Sequence, residues 1–478
     1  MHINNKTPYF SEGLSGAALG GPEGVVLRLP VPLNCEDICR CRVFAGSEFH
    51  SRGSLVLKDV KSGLELGRCE VSYTCQFQPF YIDFKNAPSG DIEVSLVLKE
   101  DSDRLSSQSS FWVFTGDPFE NCFAPAFLTG AEETRSEQNL LEAHTGPWGL
   151  QPFNWIYGCV VDGLSDQMLV QPSESLFSGI RKQISWFFSE KGSLEYTGPH
   201  SEKRENELFG IEQLLCFIPL LRFIPDHPGI RIFDEFCKKH LGPDGLIMDR
   251  GVDAEGLILE DYFVSVEGFY TLAYPLALRA GQLNDLSLMK TAVDQIRLRL
   301  PYVLKEGIVY QKSSISGHFY QPYWARAYCW FLLGLVKTIA LARKDMGCQY
   351  LIEAFQSVAA SVLDTFKEDG LFPVYFYEPE TLADTSGCAG IGAAFALGYR
   401  EGLLGKEYLD CARLVERALS KQINQDGFLC GASQLNRGTP DFQKEEFRVC
   451  AQFGGGLYLQ LTAALSGIRI KENQNDGT

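Results

Sequence analysis

Beyond residue 130 apolar residues recur three and four positions apart, in stretches such as SESLFSGIRKQISWFF, EDYFVSVEGFYTLAYPLALRAG, YWARAYCWFLLGLVKTIALAR and YLDCARLVERALSKQI. That spacing predicts helices. Two populations alternate. One is amphipathic, as near 406–423, with charges along one face. The other is apolar nearly all round and dense in Gly and Ala, as at 384–402 and 446–465. A helix apolar on every side is buried, so the alternation predicts an outer ring of helices around an inner one. Inner-type helices are expected to start near 154, 205, 259, 323, 384 and 446, and a first outer helix near 131–143 closes the ring. The expectation is a six-hairpin α/α toroid over residues 126–470.

Residues from about 20 to 115 follow another rhythm. VVLRLPVPL, CRVFAG, GSLVLKDV, LGRCEVSY, PFYIDF, DIEVSLVL and SFWVFTG are short, rich in β-branched and aromatic residues, and punctuated by Gly, Pro, Asn and Ser. Seven such strands predict a β-sandwich over residues 1–125, either a carbohydrate-binding module or a structural domain packed on the helices. The end, residues 471–478, is expected to be a flexible tail.

A short phrase repeats through the helical part: a helix-like stretch, a charged or polar residue, glycine, then an apolar run. The glycines are Gly192, Gly245, Gly307, Gly370 and Gly427. Each is expected to be left-handed and to end a helix. In such a ring the loops and the inner-helix N-termini gather at one mouth.

The composition narrows the chemistry. The chain has 478 residues, a net charge of −17, 45% hydrophobic and 22% charged residues. A strongly acidic balance argues against nucleic acid or an anionic membrane as partner, and no apolar span reaches membrane length. No export signal is seen, so a cytoplasmic protein is expected. The 15 cysteines are then expected to be reduced core residues. Cys35, Cys39 and Cys41 lack the partner spacing of a zinc site. The run GGG at 454–456 follows no strand and is read as close helix packing.

The predicted inner-helix starts carry Glu207, Glu260 with Asp261, Tyr323 to Arg326, Asp384 with Thr385, and Glu446. Acids there also complement the helix dipole. Their set, however, falls where the toroid gathers its helix starts. Trp155, Tyr196, Tyr262, Phe319, Tyr320, Tyr323, Trp324 and Tyr377 lie in the same loops and starts. Carboxylates interleaved with aromatic faces suit a glycan pocket, although the same rings also fill a wide core. Two carboxylates across a sugar permit acid and base roles when their environments separate their pKa values, and Glu207 and Asp261 form the natural pair. Arg326 in a buried helix needs an anionic partner, either a substrate carboxylate or a protein acid. His200 and His318 sit in loops as candidates for substrate contact or proton donation.

At these residues the sequence resembles the unsaturated uronyl hydrolases, glycoside hydrolase families 88 and 105. Arg326 followed by Trp330 and Gly334 resembles the family's Arg, three residues, Trp, three residues, Gly. Asp384-Thr385-Ser386 before a run of small residues resembles its Asp-Thr/Ser-Ser helix start. LILEDYFVS resembles the start that carries the catalytic aspartate, placing it on Asp261, with Glu260 as the other alignment; Glu207 falls at a second functional acid. The resemblance covers roughly residues 130–470. Ala327 and Tyr328 depart from the family pattern, as does the N-terminal β-domain.

The resemblance implies a six-hairpin glycosidase fold and an oligosaccharide substrate. The enzyme would remove a terminal 4,5-unsaturated uronyl residue by hydrating its double bond. Asp261 would act as acid and then base, assisted by Glu207. Arg326, Trp324, Trp330, His200, His318, Tyr262, Asp384 and Thr385 are the candidate substrate contacts. No metal or organic cofactor is called for. A glycosidase acting on saturated uronides, a sugar epimerase on the same fold and a non-catalytic glycan-binding protein are the alternatives. The oligomeric state is not set by the sequence.

Overall fold

The computed structural model describes residues 10, 13–19, 25–27, 38–46, 49–84, 91–98, 111–129, 137–198, 202–248, 262–342, 346–435 and 440–475. The N-terminal part is built of strands. β1 (Ser15–Leu19), β2 (Val25–Leu27), β3 (Ile38–Phe44), β4 (Phe49–Asp59), β5 (Glu65–Thr74), β6 (Pro79–Asp83), β7 (Ile92–Leu98), β8 (Phe111–Gly116) and β9 (Ala126–Thr129) follow in order. They form a four-stranded sheet β2-β7-β4-β5, a three-stranded sheet β6-β3-β9 and the pair β1-β8. Cys41 and Val43, Leu55 and Leu57, Ile82, Val94 and Val113 come from all three and share one buried cluster, so the sheets face each other. β9 pairs with β3 in antiparallel register, which carries the strand region past residue 125.

Helices follow: α1 (Glu137–Thr145), α2 (Trp155–Val170), α3 (Glu174–Ser185), α4 (Ile218–Phe223), α5 (Ile230–Lys239), α6 (Tyr274–Leu283), α7 (Leu286–Val303), α8 (Ala325–Leu341), α9 (Gln349–Leu363), α10 (Thr385–Arg400), α11 (Lys406–Ser420), α12 (Pro440–Lys444) and α13 (Gln452–Asn475). A 3₁₀ stretch, Ile211–Phe217, leads into α4, and a π turn, Phe269–Ala273, leads into α6. α2, α4, α6, α8, α10 and α13, with these lead-ins, pack side to side in chain order, and α13 returns onto α2. The inner ring is therefore closed. α8 and α10 are buried along almost their whole length, whereas α3 and α11 bury one face. This is the division between inner and outer helices that the hydrophobic pattern predicts. α13 runs on to Asn475, into the segment expected to be a tail.

The five repeated glycines are all left-handed, with φ between 79° and 84°. Their place differs from the expected helix C-cap. Each follows an outer helix by several residues and sits in a tight turn between two short extended segments. The amides of Gly192, Gly245, Gly370 and Gly427 bond back three residues, to Ser189, Gly242, Lys367 and Asn424, and each of those residues bonds the residue just after the glycine. A non-glycine residue would be strained at that position. The turn reverses the chain toward the next inner helix.

The ring closes where two glycine backbones meet. A Cβ on Gly163 of α2 would overlap the Gly456 carbonyl, and one on Gly456 would overlap the backbone of Cys159 and Val160. The GGG run is thus a packing seam, as expected. Charges are buried inside the ring near it. Lys337 Nζ bonds Asp162 at 2.6 Å and Asp166 at 2.8 Å, and Arg222 bonds Asp166 at 2.8 Å. Tyr270 and Tyr274 donate to the two oxygens of Asp162. Burial pushes the Asp166 carboxyl up, but Lys337 and Arg222 outweigh it and hold it below the usual range.

Cys430 and Cys450 form a disulfide, a correction to the reading of every cysteine as reduced. The other cysteines whose side chains are described are free. Among the described residues no helix is long and apolar enough to cross a membrane. The β unit is tied firmly to the ring: Arg42 pairs with Asp426 at 2.8 Å, Tyr81 donates to the same carboxylate, and Arg52 pairs with Glu445.

Replacing Gly456 by Ala tests the seam. Better helix propensity would stabilise by at most about 1 kcal/mol. Overlap with α2 backbone costs more, so a net loss of roughly 1–3 kcal/mol is expected from urea denaturation.

Candidate active site

Two adjoining cavities open where the inner helices begin. The larger, about 580 Å³, has aromatic walls in Phe153, Tyr196, Phe209 and Phe263. The smaller, about 290 Å³, is lined by Trp155, Trp324 and Trp330 together with Gln311, Lys312 and Arg326. Asn154, Glu212, Ser265 and Glu267 line both. Two carboxylates therefore stand where a polar, cation-bearing chamber meets an aromatic one.

Each of these residues is fixed by its local fold. Asn154 caps α2, its side chain accepting from the Ile156 amide at 2.8 Å. Glu212 is in the first turn of the 3₁₀ stretch before α4. Glu267 follows a short strand, β10 (Phe263–Ser265), which pairs with β11 (Ile308–Ser314). Its amide bonds Ser265 Oγ, and its carboxylate accepts from Gln311 Nε2 at 3.3 Å. Lys312 lies over the Phe263 ring.

Arg326 lies at the wall of the smaller cavity, 1% exposed. Its Nη2 donates to the Ser433 carbonyl at 3.2 Å, to Ser433 Oγ at 3.0 Å and to the Gln434 carbonyl. Nε faces Asp384 Oδ2 at 3.7 Å. The guanidinium stacks between the rings of Trp324 and Phe453. Nη1 has no hydrogen-bond partner, and neither does the indole Nε1 of Trp324. A buried donor without a partner is rare. Two of them in one cavity wall, one cationic, suit an anionic ligand.

Asp384 is fully buried and caps α10. It accepts from the Ser386 amide and hydroxyl and from the Ser433 amide. It lies behind Arg326, away from both cavities, and holds the guanidinium and the segment that carries Ser433. Thr385 is spent on the Cys430 carbonyl. Both were expected to touch substrate; neither lines the two cavities, and the hydrogen bonds they make are to the protein. Trp324 and Trp330 do line the polar chamber, and Trp330 stacks on Tyr270 at 5.6 Å and on Trp155 edge-on.

Other expected residues lie elsewhere. Glu207 is exposed and lines neither cavity; its carbonyl accepts from Tyr196. Burial pushes the Tyr196 hydroxyl up to about 12, so it remains a donor. His318 is exposed at the turn after β11, bonded to Ser316. Tyr262 bonds Asp244 and packs in a small separate cluster with Leu246 and Val264. Glu446 is exposed in a loop before α13. His200, Glu260 and Asp261 lie outside the described residues.

The acids that line both cavities, Glu212 and Glu267, were missed because two inner helices begin later than the pattern suggested. A hairpin of Glu195–Thr197 with Lys203–Glu205 precedes the first, and β10 precedes the second. The signal was there: Phe-Val-Ser before Val266 is strand-like, and Gly210 and Gly268 flank the true starts.

A family model, Glycosyl Hydrolase Family 88, matches residues 303–467. That segment carries Arg326, Trp330 and Asp384 but neither Glu212 nor Glu267. Among solved structures, a glycoside hydrolase from family 105 of C. acetobutylicum matches with TM-score 0.59 and 15% identity, over 70% of this chain and 100% of that one. A possible family 105 member from Salmonella enterica matches with TM-score 0.58 and 14% identity, over 72% and 97%. A family 88 hydrolase from Bacteroides vulgatus matches with TM-score 0.51 and 16% identity, over 70% and 99%. No curated protein matches the chain. The resemblance read from the sequence and these matches point the same way: the family model covers the segment that carries Arg326, Trp330 and Asp384, and the fold is that of the solved family 88 and 105 structures.

Arg326→Met would remove the guanidinium paired with the buried Asp384 carboxylate and leave it with only the electrostatic influence of Arg448. A loss of roughly 3–5 kcal/mol is expected. Adding Asp384→Asn should recover part of it, so the double variant should be more stable in urea than the two single losses added together.

Proposed function

We propose that the protein removes a 4,5-unsaturated uronic acid from the non-reducing end of an oligosaccharide by hydrating its enol-ether double bond. The observation that carries this reading is Arg326. A guanidinium with an unfilled Nη1 shares one polar chamber with Trp324, Trp330 and the carboxylates of Glu212 and Glu267. A uronate is the anion that such a chamber suits: its carboxylate meets Arg326 and the Trp324 indole N–H, and its ring meets the tryptophan faces.

Glu267 is the proposed acid and base. As the acid it gives its proton to C4, and positive charge develops at C5, shared with the ring oxygen. As the carboxylate it then takes a proton from the water that adds to C5. The hemiketal at C5 opens to a ketone. The hemiacetal left at C1 then expels the remaining sugar as an alcohol. Glu212, on the other inner-helix start, assists by holding the water or the second proton. Arg326 holds the substrate carboxylate next to the reacting double bond. The larger aromatic cavity receives the sugars that leave. Asp261 is the competing assignment for the acid that the family resemblance favours.

The test is the loss of ultraviolet absorbance of the conjugated uronide as unsaturated disaccharides are consumed. Glu267→Gln is expected to lower kcat by roughly a hundredfold or more, with Asp261→Asn far milder. The opposite ranking would move the acid to Asp261. No consumption of unsaturated disaccharides from several glycan classes, with release of saturated glucuronides instead, would overturn the reaction itself.

A further inference from the structure

The β unit lies outside the usual architecture that the resemblance describes, and nothing in the reaction proposed above requires it. Yet one of its loops reaches the substrate cavity. Residues 75–78, between β5 and β6, leave the sheet and wedge against the ring. Gln76, 1% exposed, lines the larger cavity beside Gly198 and Glu202. Its Nε2 donates to the Gly198 carbonyl at 2.9 Å. That bond fixes which end of the amide is the oxygen, and Oε1 is buried without a partner.

The loop is held in place at a cost. Tyr73 and Phe77 are left-handed, with φ of 46° and 64°, a conformation that bulky side chains adopt rarely and that clusters at functional sites. Four contacts hold Phe77 there. Its amide bonds the Ala45 carbonyl, its carbonyl accepts from Gln452 Nε2 at 2.7 Å, and its ring stacks on Phe114 and tilts against Phe123. Gln452 is the first residue of α13, so the ring itself braces the loop. On its other side the loop meets the segment that grips Arg326: Cys75 and Gln78 share a small buried void with Ser433 and Gln434.

We propose that the β unit completes the leaving-sugar side of the substrate cavity, and that Gln76 Oε1 accepts a hydrogen bond from a hydroxyl of the sugar that is released. The proposal rests on the reading of this mouth as the uronide site. It makes Gln76 a specificity residue: an unfilled buried acceptor favours a ligand that brings a hydroxyl and penalises one that does not.

The experiment compares the full-length protein with Gln76→Met, which keeps the volume and removes the amide, and with Gln76→Ala. Melting temperatures establish that each variant is folded. Two substrates are used, an unsaturated disaccharide and an unsaturated uronide with a methyl aglycone. The variants are expected to raise KM for the disaccharide roughly three- to tenfold, with KM for the methyl compound and both kcat values changed by no more than about twofold. Equal changes for both substrates, or no change for either, overturn the proposal, since a purely structural loop would not separate them. Titration calorimetry with a saturated oligosaccharide keeps the two readings apart. If the wild type binds it, turns over neither substrate, and Gln76→Met weakens binding by a similar factor, the reaction falls and Gln76 stands. Equal binding by wild type and variant, or no binding by the wild type, overturns the role of Gln76.

Discussion

The close approach of α13 to α2 is the constraint on which the site depends. Gly163 and Gly456 bring two helix backbones together with no side chain between them. That contact joins the last inner helix to the first, and the helix starts follow. Trp155 meets Phe453 edge-on with ring centres 4.8 Å apart, and Phe453 covers one face of Arg326. A wider seam would open the pocket of rings around the guanidinium and hydrate it. The energetic origin is plain: helices apolar all round have no stable place except inside a closed ring.

Two of the ionic groups buried in the ring, one around Asp162 and one around Arg326, contrast informatively. Around Asp162, both carboxylate oxygens receive tyrosine hydroxyls and Lys337 adds a charged donor. Arg222 completes the set through Asp166. Every charge there has an opposite charge beside it, which is how buried charges persist without a ligand. At the mouth, Arg326 and Asp384 are paired more loosely, at 3.7 Å, and each retains a side-chain atom with no hydrogen-bond partner. A saturated network reads as structure. An unsaturated one whose arginine lines a cavity supports the proposed placement of the uronate carboxylate at Arg326.

The fold was largely legible because burial is written in composition. The Gly- and Ala-rich inner helices and the amphipathic outer ones were visible, and α2, α8 and α10 begin within two residues of their expected starts. Two of those starts carry side-chain caps, Asn154 and Asp384. Where no capping side chain marks the start, at Gly210 and Gly268, short strands were absorbed into the predicted helices and the candidate acids came out five or more residues early. Arg326, Trp324 and Trp330 were found because an arginine and two tryptophans in an apolar helix start are conspicuous. Gln76 was invisible: it comes from another part of the chain, and only the three-dimensional packing of the β unit on the ring brings it to the cavity. The Cys430–Cys450 pair was hidden for a similar reason, since composition counts cysteines without pairing them.

The most direct measurement is a crystal structure of the Glu267→Gln protein soaked with an unsaturated disaccharide. The account predicts the uronate carboxylate within hydrogen-bonding distance of Arg326 Nη1 and Trp324 Nε1, the C4–C5 double bond beside residue 267, and the second sugar in the larger cavity. A sugar bound elsewhere, or one whose carboxylate faces solvent while Arg326 stays unfilled, would contradict it.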